Sequence, residues 1–336
     1  MSSRSGKAFD RGGGLISDHE MPLGGLRSMR YNSARVSSPA SIANFGPGFD
    51  TFGLCLEAPV DRISIKAEPS GVVKLKSLGK YAVPSSPMEN TASYAAVKLG
   101  EICGLHKIGF TMTVRKGMKP GSGLGSSAAS SVGGALAMAA LLDVRDKGLV
   151  LEAAAMGEEL VSGSRHFDNV SAALYGGFTV VSDLRTRTII QIRPPMFKVV
   201  VVVPEISIET RKARDILPSS VSMADAVCNL SWASGMLHAM MKRNVRMMGS
   251  YLDDKLALPY RSALIPGYAE VRESALNAGA AGVSIGGSGP AVFAITQSNA
   301  VKIKKAMVEA FRRSAGLRTE SFITVPGKGA RVESAR

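Results

Sequence analysis

One stretch constrains the fold of this 336-residue chain more than any other: Lys119-Pro-Gly-Ser-Gly-Leu-Gly-Ser-Ser-Ala-Ala-Ser130. Gly121, Gly123 and Gly125 let the backbone bend where a side chain would clash. The stretch follows an alternating segment over residues 110–115 that predicts a strand, and it runs into an Ala-rich apolar segment that predicts a helix over residues 126–142. A flexible Gly/Ser linker would lack both flanks. A turn that feeds a helix N-terminus offers free N–H groups and the positive end of the helix dipole, so the stretch predicts an anion cradle. It is not a Walker A loop, because no Gly-Lys-Ser/Thr follows at the required gap. It is not a dinucleotide fingerprint either. Ser126 stands where the third glycine belongs, and Asp143, at a tempting distance, ends a helix instead of a strand.

The rest of the chain arranges itself around that loop. Residues 1–30 are rich in Ser, Gly and Arg without apolar periodicity and are expected to be a disordered tail. Asp10, Asp18 and Glu20 argue against a transit peptide, and Met21 and Met29 offer later starts. A short strand at Ala34-Arg-Val-Ser leads into a Gly/Pro-dense loop, Asn44-Phe-Gly-Pro-Gly-Phe-Asp50. Residues 61–67 and 72–77 alternate like antiparallel strands, and residues 90–103 have helical spacing. A second helix is expected over 150–164, and strands over 178–184 and 198–204, the latter almost continuously valine and so buried. Helices are expected over 222–244, 247–257, 267–278 and 298–316. Strands are expected over 282–285, 291–296 and 320–325. Arg193-Pro-Pro reads as a joint. This mixture without strict βαβ regularity predicts an α+β protein of two layered domains, residues 31–192 and 193–330.

Composition narrows the function classes. No apolar run is long enough to span a bilayer, and the three cysteines have neither disulfide nor zinc spacing, so a soluble cytoplasmic protein is expected. The formal charge of +14 is spread along the chain with few interleaved aromatics, which favours anionic small molecules over nucleic acid.

Further residues carry candidate chemistry. Glu158 falls within the apolar stripe Leu151, Ala154, Ala155, Val161, where a carboxylate needs a partner. A salt bridge at a domain edge is the bland explanation. The sharper one is a hard-cation ligand, completed by phosphate, water and a Ser hydroxyl of the loop helix. Asn44 and Asp50 flank a turn that could be purely structural. His166, Asp168 and Asn169 cluster after the Glu158 helix, as an ordinary exit loop would also allow. Arg214 and Arg261, each just upstream of Leu-Pro or Leu-Ile-Pro, are surface arginines when taken singly.

Taken together these segments resemble the GHMP superfamily of small-molecule kinases. Residues 39–56 are similar to its first motif, residues 119–130 to its phosphate-binding motif, and residues 282–294, with Gly286-Gly-Ser-Gly-Pro290, to its third. Pro39-Ala-Ser-Ile-Ala-Asn-Phe-Gly-Pro-Gly-Phe-Asp50, His166-Phe-Asp-Asn169, Thr210-Arg-Lys-Ala-Arg-Asp-Ile-Leu-Pro218 and Arg261-Ser-Ala-Leu-Ile-Pro-Gly267 resemble its homoserine kinase family. The resemblance covers about residues 34–330 and implies an N-terminal domain like a ribosomal protein S5 second domain and a ferredoxin-like C-terminal domain. It implies ATP-dependent phosphorylation of L-homoserine on the route to threonine, with Mg²⁺. The ATP phosphates would lie on Lys119, Pro120, Gly121, Ser122, Gly123, Leu124, Gly125, Ser126, Ser127, Ala128, Ala129 and Ser130. Ser127 and Glu158 would hold the metal, though the resemblance leaves Ser126 open as the hydroxyl donor. Asn44, Asp50, His166, Asn169, Arg214, Arg261 and Gly287 would surround homoserine, with Thr210, Asn169 and Arg214 at the reacting groups. Two arginines suit an amino-acid carboxylate, and Asp50 with the amides of Asn44 and Asn169 suits the ammonium and hydroxyl end. Asp168 stands where some superfamily relatives carry a catalytic aspartate. The resemblance to the homoserine kinases implies a reaction without a strong base, so Asp168 receives no such role. Relatives are often homodimers. A kinase for another small alcohol, such as mevalonate or shikimate, and a catalytically dead sensor are the alternatives. The sensor reading would require the loss of Glu158 or of the glycine loop.

Overall fold

The structure, a computed structural model, describes residues 29–336 apart from His106 and the side chain of Thr210. Except for its last two residues, the expected tail lies outside the described residues. Arg30 and Tyr31 already dock, both donating backbone N–H bonds to the Leu141 carbonyl at 2.7 and 3.1 Å.

A first sheet is built from β1 (Ser33–Ala43), β2 (Phe52–Ala67), β3 (Val73–Leu78), β4 (Phe110–Arg115), β5 (Phe178–Asp183), β6 (Thr188–Ile192) and, from the far end of the chain, β11 (Arg331–Ala335). Its main path runs β11-β1-β2-β4-β3, with β5 and β6 continuing from β2. The strands expected over 61–67 and 72–77 are not partners. Helix α1 (Thr91–Ile102) carries the chain from β3 across to β4, and such a crossover sets adjacent strands parallel. So β3 pairs in parallel with β4, and β4 separates it from β2. β1 is longer than expected because the pairing shifts register between Pro39 and Ser41, where a strand tolerates a missing N–H.

Helices α1, α2 (Ser126–Leu142), α3 (Lys147–Ser162) and α4 (Phe167–Tyr175) cover this sheet. Their apolar faces and the sheet form one core, with Ile63, Ile65, Phe110 and Met112 meeting Leu99, Val132, Met138 and Val170. Helix α1 packs on α2 at backbone distance: a Cβ on Gly134 would fall 1.9 Å from the Ala92 carbonyl oxygen.

The second sheet runs β10-β7-β9-β8 and is antiparallel throughout: β7 (Lys198–Pro204), β8 (Gly282–Ile285), β9 (Val292–Thr296) and β10 (Thr319–Thr324). The valines of β7 are buried on both faces. Val199, Val201 and Val203 join a core shared with the first sheet. Val200 and Val202 join one made with α9 (Tyr268–Asn277) and α10 (Ala300–Ala315). The shared core also takes residues from α6 (Met223–Met241) and α7 (Val245–Ser250). At its centre Phe45 lies edge-on to Phe178 at 5.7 Å and stacks on Phe293 at 5.4 Å, so rings from both sheets lock together.

The helix expected over 247–257 ends at Ser250. Beyond it the Asp254 carboxylate accepts N–H bonds from Leu256, Ala257 and Leu258 and starts the short α8 (Leu258–Arg261) instead. Two further helices are absent from the sequence reading, α4 and α5 (Thr210–Asp215), as are β6 and β11. Among the described residues no helix is long and apolar enough to cross a membrane.

Replacing Gly134 with Ala drives a Cβ into the Ala92 carbonyl, so a net destabilisation of about 2 kcal/mol is expected despite the gain in helix propensity. A urea melt checks it: the midpoint falls while the slope is unchanged.

Candidate active site

Helices α1, α2 and α4 all begin at one cleft of about 260 Å³, where loops of the two sheets meet. Gly125 precedes α2 with φ +63° and has no side chain to cap it, so first-turn N–H groups remain for an anion.

The glycine loop is bolted to both sheets by its backbone. Ser41 of β1 donates to the Leu124 carbonyl at 3.1 Å, and Ala291, just before β9, donates to the Ser122 carbonyl at 3.0 Å. At Gly123 (φ +81°) a Cβ would lie 2.5 Å from the Gly286 carbonyl oxygen, and at Gly125 one would lie 2.2 Å from Ser41 Oγ. Glycine is therefore required twice over at both positions, by conformation and by space.

A buried ion pair underlies the loop. The ammonium of Lys116 contacts the Asp61 carboxylate and donates to the Ser126 carbonyl at 2.7 Å and Ser130 Oγ at 2.9 Å. The other Asp61 oxygen accepts the Gly117 N–H at 2.9 Å. Burial pulls Lys116 below the ordinary lysine range, and the Asp61 charge opposes this. Sequence reasoning missed both residues. The partners are 55 positions apart, and only the position of Lys116 just ahead of the loop could have flagged it.

Glu158 enters the cleft from α3. Ser127 Oγ donates to its Oε1 at 3.0 Å, while its Oε2 and the buried Ser126 Oγ have no protein partner. Burial pushes the carboxyl up to about 7, against the pull of Ser127 and Lys116. A carboxylate and a hydroxyl side by side, with one carboxylate oxygen unspent, are hard donors of the kind Mg²⁺ takes alongside phosphate and water. Of the two candidate serines, Ser127 is the one in contact with Glu158.

At the other end, Arg214 Nη2 donates to Asp50 Oδ2 at 2.7 Å, and His166 Nδ1 stands 3.8 Å from Asp50 Oδ1. His166 is held below its ordinary value by burial, with Asp50 opposing and both arginines reinforcing. Arg261 is buried; its Nε donates to the Ala213 carbonyl and Nη1 to the Gly287 carbonyl, both at 3.1 Å. Asn44 (φ +64°) accepts the Asp50 N–H at 3.0 Å and reaches the Gly287 carbonyl at 3.3 Å, so its amide ties the loops of the two sheets together. Asn169 Oδ1 accepts from Ser41 Oγ at 2.9 Å, beside Gly125. Asp168 opens α4 with Asn169; burial and then Asp50 push its carboxyl up to about 7.

Thus Asn44, Asp50, His166, Asn169, Arg214, Arg261, Gly287 and Glu158 share one cleft with Pro120, Gly121, Ser122, Gly123, Gly125, Ser126, Ser127 and Ser130. The side chains of Leu124, Ala128 and Ala129 are buried in the two cores. Lys119 lines a neighbouring cavity near Glu320. The side chain of Thr210 lies outside the described residues; its backbone opens α5, whose Arg214 lines the cleft.

Comparison with known proteins follows the same lines. The family model for the GHMP kinases N terminal domain matches residues 90–177, and that for the GHMP kinases C terminal matches residues 236–313. The homoserine kinase of Pyrococcus furiosus is 44% identical over 297 residues, covering 88% of this chain and 99% of that protein. That of Thermococcus gammatolerans is 43% identical over 299 residues, with 88% and 99% covered. The crystal structure of homoserine kinase from Cytophaga hutchinsonii superposes with a TM-score of 0.84 at 32% identity, over 91% of this chain and 98% of that one.

Two outcomes are expected from the cleft's buried charges. Lys116→Met strands Asp61 without its counter-charge and should cost about 3–5 kcal/mol in a denaturant melt, most of it recovered by adding Asp61→Asn. Without metal, the raised Glu158 carboxyl favours the folded state only while protonated, so its contribution is lost as pH rises from 4.5 through about 7. At pH 8 metal-free Glu158→Gln should therefore be the more stable protein, by on the order of 2 kcal/mol, and the two should converge near pH 4.

Proposed function

This chain belongs to the homoserine kinase family of the GHMP kinases, and we propose that its cleft transfers the terminal phosphoryl group of ATP to the hydroxyl of L-homoserine, giving O-phospho-L-homoserine. The observation that carries this reading is the single cleft joining the glycine loop and the Ser127–Glu158 pair to the cluster of Asp50, Arg214 and Arg261. The loop and the N-terminus of α2 receive the phosphates of ATP through backbone N–H groups. Arg261 and Arg214 bind the α-carboxylate of homoserine, and Asp50 binds its ammonium. Asn169, in the first turn of α4 beside the loop, lies near the hydroxyl end, with Thr210 assigned to the reacting groups. Glu158 and Ser127 would hold Mg²⁺, which when bound offsets the charge on the phosphate oxygens.

Phosphoryl transfer needs alignment and charge compensation more than covalent help from the protein. Positioning by the two ends of one rigid cleft is therefore taken to supply most of the rate. A cytoplasmic setting is part of the same proposal and agrees with the free thiols of Cys55 and Cys228. The sensor alternative loses its support, since both Glu158 and the glycine loop are in place.

The test is a coupled assay of ADP release with Mg·ATP and a panel of alcohols. Homoserine should be turned over well above mevalonate and shikimate, and the reverse order would sink the reading. Arg261→Leu should raise KM for homoserine about 10–100-fold, the worth of one charged hydrogen-bonding group, with a much smaller effect on KM for ATP. Glu158→Gln should lower kcat strongly at every Mg²⁺ concentration; an unchanged kcat would remove this residue from the site.

A further inference from the structure

Phe49 sits inside the loop that carries Asn44 and Asp50, with no role yet assigned to its ring. The guanidinium carbons of both cleft arginines lie over that ring, Arg214 at 5.8 Å and Arg261 at 5.3 Å from its centroid. Two like charges share one aromatic partner, in a place where burial already pulls Arg261 below the ordinary arginine range and Arg214 adds to that pull. Their other contacts differ. Arg214 is paired with Asp50. Arg261 meets two backbone carbonyls and, among the described residues, no carboxylate at ion-pair distance. The nearby Asp254 carboxylate is spent on three backbone N–H groups.

The choice of an aromatic ring has a chemical consequence. A carboxylate at position 49 would also hold two guanidinium groups, but it would neutralise them and compete with any incoming carboxylate. The negative face of a π system attracts a cation without removing its charge and without using its N–H donors. We propose that Phe49 is a positioning residue for substrate. Its ring holds Arg214 and Arg261 together at the end of the cleft that takes the substrate's carboxylate, without taking up the N–H donors that their other contacts leave over. The inference rests on the functional reading above and adds to it the residue that makes the arginine pair usable.

The experiment replaces Phe49 in the full-length protein with mono-, di- and trifluorinated phenylalanine, and separately with Leu and Tyr. Fluorine drains the π face while nearly preserving ring volume, so a role in packing alone would be left untouched. The expected result is a stepwise rise in KM for homoserine along the fluorinated series, with KM for ATP and the melting temperature unchanged. Phe49→Leu should raise KM for homoserine about tenfold and Phe49→Tyr should stay within about twofold. A flat series in a parent enzyme that phosphorylates homoserine overturns this inference alone. A parent that turns over no homoserine overturns the functional reading beneath it. Should Phe49→Leu fail to fold, the fluorinated series, which keeps the ring, still decides.

Discussion

The glycine loop can bind an anion only if two sheets are held at its back, and backbone contact holds them. Ser41 of β1 and Ala291 beside β9 each donate to a loop carbonyl, and Gly123 and Gly125 admit no side chain between the loop and those neighbours. With its carbonyls turned toward the sheets, the loop can turn its N–H groups toward the cleft. The stacked and edge-on rings of Phe45, Phe178 and Phe293 lock the same joint at the level of the core. The joint between the sheets and the loop are thus one construction: a change at Gly123 is also a change at the Gly286–Pro290 turn of the second sheet.

Electrostatics in the cleft follow from that placement. Three helix N-termini and the cations Lys116, Arg214 and Arg261 surround the space, which favours a ligand with several negative charges. Glu158 and Asp168 are carboxyls placed against this field yet too buried to ionise readily; each is pushed up to about 7. Desolvation wins over nearby positive charge for both. For Glu158 the reason is visible in its contacts: one oxygen has a single hydroxyl partner and the other has none. A carboxylate kept short of partners is poorly satisfied until a cation arrives, which is the property that the proposed metal role of Glu158 calls on.

How much of this was legible in the sequence depended on the range of the interaction. The loop, the α2 helix and the β4 and β7 strands were read from local signals: glycines at a turn, alanines at helical spacing, alternation, a run of valine. Glu158 was legible because a carboxylate on an apolar stripe breaks a local pattern. The parallel placement of β3 was not, because alternation in residues 72–77 says which face is buried and nothing about which strand lies alongside. The Asp61–Lys116 pair and the contact of Phe49 with two arginines join residues dozens to hundreds of positions apart and leave no periodic trace. Arg214 and Arg261 were singled out only through motif resemblance; taken alone, each read as a surface arginine. Helix α4 was hidden because His166, Asp168 and Asn169 are turn-forming polar residues, and they are polar here because they face the cleft.

In the proposed binding mode, Asp50 decides what kind of alcohol suits the far end. Its bond to Arg214 leaves that arginine partly compensated, whereas Arg261 is bound only by carbonyls and a ring. A substrate bearing a carboxylate alone would meet an attractive Arg261 and a repulsive Asp50. A substrate bearing a carboxylate and an ammonium on one carbon can satisfy both, and the buried Arg261 guanidinium then gains the counter-charge it lacks. The cost of leaving such a group unpaired is about 1–3 kcal/mol or more, enough to separate a zwitterionic alcohol from a simple hydroxy acid by one to two orders of magnitude in affinity. In that mode, selectivity for an amino-acid alcohol does not require a tight steric mould. It follows from one carboxylate and one uncompensated guanidinium held at fixed separation, and the loop from Asn44 to Asp50 fixes it by carrying Asp50, the Phe49 ring and the amide that grips the Gly287 carbonyl, which Arg261 also grips.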